Sequence, residues 1–225
     1  MTEASGAQGS DGRLIGVFGA AGFGREVMPL LRKQYAAAEP QAQFVFVERS
    51  AAPDQNGVPV MAETEFLASP RAKAFVLAIA DGEIRARLHD MALRSGAVPL
   101  EARAASAEVF DRATLRAGAI LCAQSIVSSD VQVGLCFHLN VFSYLAHDCR
   151  VGDFVTFGPH VTCAGNVIIE DRAYIGAGAL IRQGTPDKPL VIGAGAVIGM
   201  GAVVTKDVPP GVTVVGNPAR PLEQR

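Results

Sequence analysis

The pattern of apolar and polar positions changes near residue 105. Ahead of that point, short apolar runs alternate with stretches in which apolar residues recur at helical spacing. Residues 14–18, 44–47 and 75–79 predict buried strands, and residues 25–35 and 84–92 predict amphipathic helices. This alternation predicts a small parallel sheet of the Rossmann-like βαβ type over residues 13–105.

Beyond residue 105, an aliphatic or small apolar residue recurs at every sixth position. The series runs from Val109 to Ile181 through thirteen hexads without a slip, and after five extra residues, 187–191, it resumes at Ile192. A six-residue period gives a short strand and a turn, and three such units, about 18 residues, close one coil of a parallel β-helix. The sixteen hexads in all predict about five coils within residues 106–225.

Composition and charge narrow the class of protein. The chain has 225 residues, of which 49% are hydrophobic but only 6% aromatic, with no Trp, as a narrow coil filled by small and branched side chains requires. A net charge of −2 provides no overall positive charge that would attract nucleic acid. Residues 1–12 are small and polar, which predicts a disordered tail rather than a signal peptide. No apolar run is long enough to cross a bilayer, so we expect a cytoplasmic protein without membrane insertion.

The four histidines are candidate metal ligands. His89 lies on a predicted helix and is expected at the surface. His138, His147 and His160 fall at three different positions around an 18-residue coil, so they cannot converge on one metal within a chain. The four cysteines show no C-x-x-C spacing. The sequence therefore predicts no metal site.

Residues 109–209 resemble the hexapeptide-repeat family of acyltransferases, whose fold is a left-handed parallel β-helix. Residues 215–220 (VGNPAR) are similar to the segment that ends the domain in this family. With the N-terminal half included, the chain most resembles the subgroup that acetylates nucleotide-linked amino sugars or sialic acid. The resemblance implies acetyl-CoA as co-substrate and a homotrimer whose active sites lie between subunits.

Acetyl transfer requires a base to take a proton from the nucleophile, and imidazole is suited to this near pH 7. Residues 145–154 (LAHDCRVGDF) resemble the His-Asp/Glu motif of the sugar acetyltransferases. The resemblance implies that His147 is the general base and that Asp148 orients its ring. Gly165 follows His147 by 18 residues, which is one coil, and the family uses a glycine there to hold the acetyl carbonyl.

Other active-site positions follow from the same resemblance. Asn140 matches a polar active-site position of the family. Thr156 departs from it, because relatives often carry a second histidine there, and His138 stands at the same coil position one coil earlier. The coenzyme A path includes Ala177 and Met200. Lys206 and Arg220 are candidates for its phosphates, although either could equally be an ordinary solvated charge.

A second candidate site lies in the N-terminal half. Glycines follow the first strand and open the first helix, where backbone N–H groups suit a diphosphate: Gly19, Gly22 and Gly24. Glu48, at the end of the second strand, is positioned to meet the base or ribose of a nucleotide. By resemblance, Asp81 and Arg85 belong to the nucleotide-sugar side as well.

The sequence as a whole predicts an N-acetyltransferase that transfers the acetyl group of acetyl-CoA to a nucleotide-linked 4-amino-4,6-dideoxy sugar. Two alternatives stay open at this point. One is O-acetylation of sialic acid or a related sugar, which uses the same residues. The other is a non-catalytic β-helix scaffold that binds a nucleotide-sugar.

Overall fold

The computed structural model describes residues 12–222, so residues 1–11 of the expected tail lie outside the described range. An N-terminal lobe precedes the β-helix. Its elements are β1 (Leu14–Phe18), α1 (Gly22–Tyr35), β2 (Gln43–Glu48), β3 (Ala52–Gln55), β4 (Val58–Ala62), α2 (Glu63–Ala68), β5 (Lys73–Leu77), α3 (Gly82–Arg94) and β6 (Val98–Pro99).

The lobe is built on a six-stranded sheet in the order β3-β4-β2-β1-β5-β6. All pairings are parallel except that of β3 with β4. All five residues of β1 are buried, as are those of β5, which explains why β1 and residues 74–77 of β5 appear in the sequence as unbroken apolar runs. Helix α1 begins at Gly22, three residues before the predicted start, and continues through Pro29.

Short parallel strands form three faces of a triangular coil. The first face holds β7 (Ala102–Arg103), β10 (Ile120–Leu121), β13 (His138–Leu139), β16 (Thr156–Phe157), β19 (Tyr174–Ile175), β22 (Val197–Ile198), β24 (Thr213–Val215) and β25 (Arg220–Pro221). The second holds β8 (Glu108–Val109), β11 (Ile126–Val127), β14 (Tyr144–Leu145), β17 (Thr162–Cys163), β20 (Leu180–Ile181) and β23 (Val203–Val204). The third holds β9 (Thr114–Leu115), β12 (Gln132–Val133), β15 (Arg150–Val151), β18 (Val167–Ile169) and β21 (Leu190–Ile192). The first face already starts at Ala102, ahead of the boundary expected at residue 106.

The coil turns at corners where the backbone is left-handed. Ten non-glycine residues of the β-helix have φ between 50° and 61°. They stand in three columns, which are Arg112, Asp130, Asp148 and Asn166; Cys136, Phe154 and Arg172; and Gln124, Phe142 and His160. Glycines with positive φ continue two of these columns. Because each column repeats every 18 residues, the corner conformation keeps successive coils in register.

One insertion interrupts the 18-residue spacing. Strand β15 pairs with β18 at that spacing, Arg150 with Ile168, but Ile168 pairs with Val191, 23 residues on. Val191 belongs to strand β21, so the extra residues are not 187–191 as predicted. They lie within the loop at 183–189, in which Gly184 N–H donates to Gly165 O at 3.0 Å.

The two ends of the first face are covered by other elements. At one end, the Gln34 side chain of α1 accepts from Arg103 N–H at 2.9 Å, and Tyr35 Oη donates to Glu101 O at 2.9 Å. At the other end, β25 pairs antiparallel with β24. The terminal strand β25 is only two residues long and includes Pro221, which has no N–H to donate, so neither end of this face presents a complete row of open backbone groups.

The lobe packs against the first face. Ile120 and Cys122 share one apolar cluster with Ile15 and Val17 of β1. His138 is buried in this contact, where its Nε2 lies 2.8 Å from Leu77 O. Burial first of all, and then the charge of Arg85, hold the pKa of His138 well below its usual value. The neutral ring is therefore part of the contact between lobe and β-helix.

We expect this histidine to make the fold sensitive to acid. The unfolded chain binds a proton at His138 near pH 6.5 whereas the folded chain does not, so stability is lost as the pH falls below that value, by up to about 1.4 kcal/mol per pH unit. Urea unfolding between pH 7.5 and 5 should show a shallower pH dependence for His138→Gln than for the parent. His160→Gln, at an exposed histidine, is the matched control. Equal slopes for His138→Gln and the parent would contradict this role.

Candidate active site

His147 and Asp148 form an exposed pair at the corner between the second and third faces. His147 Nδ1 lies 2.7 Å from Asp148 Oδ2, and the two side chains are 49% and 55% exposed. Asp148 has φ of 58°, so the chain turns there and brings its carboxylate back to the preceding ring. A carboxylate accepts only, so Nδ1 carries the hydrogen and Nε2 is left as a proton acceptor.

Gly165 lies directly against the imidazole ring. A Cβ on this residue would stand 2.6 Å from His147 Cε1 and 2.8 Å from Nε2. Asn166 N–H, in the same turn, donates to His147 O at 3.1 Å. Among residues 12–222, no acceptor takes the Gly165 N–H. The one-coil spacing thus places a free backbone donor next to the ring, as predicted from the sequence.

A cleft of about 470 Å³ opens beside Asp148. Its walls include Asn166, Arg150 of β15, and Thr185 and Pro186 of the loop at 183–189. The sequence analysis did not single out these residues for a site. The break in the hexad period marked the position of the loop, but nothing in the sequence showed that it folds towards Asp148.

Asn140 and Thr156 do not join His147 within one chain. Asn140 stands at the corner between the first and second faces, where its Oδ1 accepts from Val141 N–H at 2.7 Å. Thr156 is 6% exposed in the contact with the lobe. His138 pairs with Thr156 across β13 and β16 as the coil arithmetic predicted, but at 1% exposure it cannot act on a substrate. His89 is also buried, at 5%, which corrects its expected place at the surface.

The candidate coenzyme A residues lie along the C-terminal coils. Ala177 and Met200 occupy equivalent positions in successive coils, joined by a bond from Gly201 N–H to Ala177 O at 2.9 Å. The Met200 side chain is 79% exposed. Lys206 and Arg220 line one groove of about 200 Å³. Their roles in coenzyme A binding stay predictions.

The glycine loop and Glu48 come together in the lobe. Ala20 N–H donates to Glu48 Oε1 at 2.6 Å, and a small cavity of about 150 Å³ includes Gly19, Glu48 and Ile79. Gly19 has φ of 100°, and a Cβ on Gly24 would stand 1.8 Å from Gly19 O. The start of α1 can therefore pack on the loop only because both positions are glycine. A Cβ on Gly22 would have no neighbouring atom within 4 Å.

Asp81 and Arg85 differ in accessibility. Asp81 is exposed and caps α3, its Oδ1 accepting from Ile84 N–H at 2.9 Å. Arg85 is 0% exposed, and its guanidinium donates to backbone oxygens and to Thr156. This corrects the expectation that Arg85 meets the nucleotide-sugar. Burial lowers the pKa of Arg85 to about 10, so the guanidinium is charged at neutral pH.

Between residues 12 and 222, no three His, Cys, Asp or Glu side chains form a group that could hold a metal ion. Burial raises the pKa of the Cys122 and Cys136 thiols to about 12, so both are protonated. None of the helices in this range has the length and apolar character to cross a membrane.

Comparisons with known proteins find close relatives. GDP-perosamine N-acetyltransferase from Escherichia coli O157:H7 is 45% identical over 214 residues, 94% of this chain and 97% of the relative. The structure of WeeI from Acinetobacter baumannii AYE is 47% identical with a TM-score of 0.90, covering 93% of this chain and 100% of that one. A histidine-to-asparagine mutant of perosamine N-acetyltransferase from Caulobacter crescentus, in complex with CoA and GDP-perosamine, is 27% identical with a TM-score of 0.81, covering 93% and 97%. No protein-family model matches this chain.

The stacked hexads and the exposed His-Asp pair define an acyltransferase of the hexapeptide-repeat class, and the short parallel strands fit its left-handed β-helix. The 45% identity extends over nearly the full length of both chains. The chain therefore belongs to the hexapeptide-repeat sugar N-acetyltransferase family.

The contact between Gly165 and the imidazole ring predicts that a methyl group is not tolerated there. In Gly165→Ala the added carbon would displace the ring, and a catalytic group displaced by about 1 Å costs on the order of 100-fold in rate. Turnover with acetyl-CoA and an amino-sugar acceptor measures the loss, and thermal unfolding checks that the fold is kept. Turnover equal to that of the parent would show that the ring position does not matter.

Proposed function

We propose that this enzyme transfers the acetyl group of acetyl-CoA to the 4-amino group of GDP-perosamine or a closely related nucleotide-linked 4-amino-4,6-dideoxy sugar. The observation that carries the proposal is the His147-Asp148 pair packed on Gly165, within a chain that is 45% identical to a GDP-perosamine N-acetyltransferase. A second relative was solved with CoA and GDP-perosamine bound.

The ring orientation supports a base role for His147. With Nδ1 held at 2.7 Å from the Asp148 carboxylate, Nε2 receives the proton that the sugar amine loses as its nitrogen attacks the thioester carbon. The carboxylate also stabilises the imidazolium that results. Asp148 thereby acts through the ring and need not touch the substrate.

The free N–H of Gly165 suits the next step. As the carbon–nitrogen bond forms, negative charge collects on the carbonyl oxygen, and a backbone donor fixed beside the base stabilises it. The tetrahedral intermediate then breaks its carbon–sulfur bond and expels the thiolate of CoA. The imidazolium returns the proton to that sulfur, so the products are an N-acetyl sugar and CoA.

Two alternatives would use the same residues differently. A sialic acid O-acetyltransferase would activate a hydroxyl at the same base, and a scaffold would bind the nucleotide-sugar without turnover. The relatives favour the amine, since both named enzymes are N-acetyltransferases. Assays with GDP-perosamine, free sialic acid and acetyl-CoA separate the three by whether thiol is released and with which acceptor.

The two candidate sites lie on different sides of one chain. The lobe, with its glycine loop, covers the first face, whereas His147 stands at the corner where the second and third faces meet. This corner lies opposite the first face of the triangular coil. The arrangement supports an active site that combines the lobe of one subunit with His147 of another, in a homotrimer. The use of acetyl-CoA and a nucleotide-sugar as substrates also supports a cytoplasmic location. It supports in addition a role in supplying sugars for polysaccharide synthesis.

Replacing the base tests the mechanism. His147→Ala should reduce kcat by about 100- to 10,000-fold, the range for loss of a general base, with little change in thermal stability because the side chain is half exposed. His160→Ala, at another exposed corner, is the matched control and should retain turnover. Near-normal kcat in His147→Ala would rule out the proposed mechanism.

Mixed oligomers test whether sites are shared. Gly22→Asp places a carboxylate in open space at the start of α1, where it repels a diphosphate without a steric clash. Gly22→Asp and His147→Ala should each be inactive alone. Co-expressed, they should regain about a quarter of parental activity, since in a random trimer one interface in four joins an intact lobe to an intact base. No regained activity in mixed trimers would place both parts of the site in one chain.

A further inference from the structure

We propose that Arg85, together with Thr156, is a positioning residue for acetyl transfer. The pair fixes the orientation of the N-terminal lobe on the β-helix, and with it the point at which the lobe presents the acceptor amine. This inference rests on the proposed function, because it takes the lobe to be the part that holds the nucleotide of the acceptor.

The guanidinium of Arg85 joins two parts of the fold. On the lobe side, Nη1 donates to Ile79 O at 2.8 Å and Ala80 O at 2.9 Å, in the connection between β5 and α3. On the β-helix side, Nη1 donates to Thr156 Oγ1 at 2.6 Å and Nη2 donates to Phe154 O. The side chain is completely buried, so these bonds form away from competing water.

Thr156 closes the link from the β-helix. Its hydroxyl accepts from Arg85 and itself donates to Ala80 O at 3.0 Å. Thr156 lies on β16, nine residues after His147 in the same coil. The hydroxyl therefore ties the lobe to a coil of its own β-helix, and in the proposed trimer the position of that β-helix sets where the lobe lies relative to His147 of a neighbouring subunit.

The start of α3 also packs directly on this coil. A Cβ on Gly82 would stand 2.9 Å from Phe154 O and 3.0 Å from Arg172 Cβ, so the helix begins in direct contact with a corner of the β-helix. Glu83 adds an ion pair with Arg172 at 3.3 Å.

The connection between β5 and α3 also borders the small cavity of the lobe to which the nucleotide is assigned. Ile79 and Ile84, on either side of Ala80 and Asp81, line the cavity that contains Gly19 and Glu48. A shift of this segment relative to the coil would move the whole cavity relative to the β-helix. Because the cavity is carried by the lobe, its own shape, and so its affinity for nucleotide, would be preserved.

Thr156→Val tests the link with the side-chain shape nearly unchanged. We expect kcat for GDP-perosamine to fall about tenfold, the effect of losing one hydrogen bond to a charged group. The Kd for GDP, measured by calorimetry, should stay within about twofold of the parent. Thr156→Ser, which keeps the hydroxyl and loses the methyl, should stay close to the parent in kcat. If the side chain only stabilised the fold, Thr156→Val and Thr156→Ser would not differ in kcat while the Kd for GDP stayed the same.

Arg85→Met should likewise lower kcat while the Kd for GDP is kept, and Arg94→Met, on an exposed part of the same helix, is the control that should change neither. If the Thr156→Val variant loses GDP affinity together with kcat, the residue belongs to nucleotide binding and the inference fails. Unchanged kcat in Thr156→Val also overturns it. A parent enzyme that does not acetylate GDP-perosamine at all would instead defeat the proposed function, so the two failures can be told apart.

Discussion

The left-handed backbone at every sixth residue is the constraint on which the rest of the β-helix depends. A single non-glycine residue in this conformation costs about 1 kcal/mol or more, and ten such residues are held at the corners of the coil. The corners persist because each one aligns two strands with their neighbours in the next coil and places inward aliphatic side chains on top of one another. Register and core packing thus offset the local cost together.

The active-site geometry follows from that register. His147 precedes the corner residue Asp148, and Gly165 occupies the position equivalent to His147 one coil later. The base, its carboxylate and the backbone donor are therefore placed by the repeat itself, with no loop whose folding could misplace them. The five-residue insertion is the exception, and it adds a wall beside Asp148 without altering the coil beneath.

The period of six and the spacing of 18 were enough to predict the coil, the stacking of Gly165 on His147, and the pairing of His138 with Thr156. The parallel core of the lobe could also be predicted, since β1 and residues 74–77 of β5 are continuous apolar runs. Strands β3 and β4 and helix α2 were not, because each is short and without clear periodicity. His89 was expected at the surface because it lies on a predicted helix, and Arg85 was assigned to the nucleotide-sugar side by family resemblance. Their burial depends on contacts with Thr156 and Phe154, about 70 residues away, which no local pattern reveals.

The covered ends of the first face bear on how the molecule behaves in concentrated solution. A parallel β-helix ends in strands whose backbone groups could bond to the end of another molecule and extend into a fibre. Here Gln34 and Tyr35 occupy such groups at one end, and the antiparallel strand β25 occupies them at the other. The fold thereby guards against end-to-end polymerisation on this face.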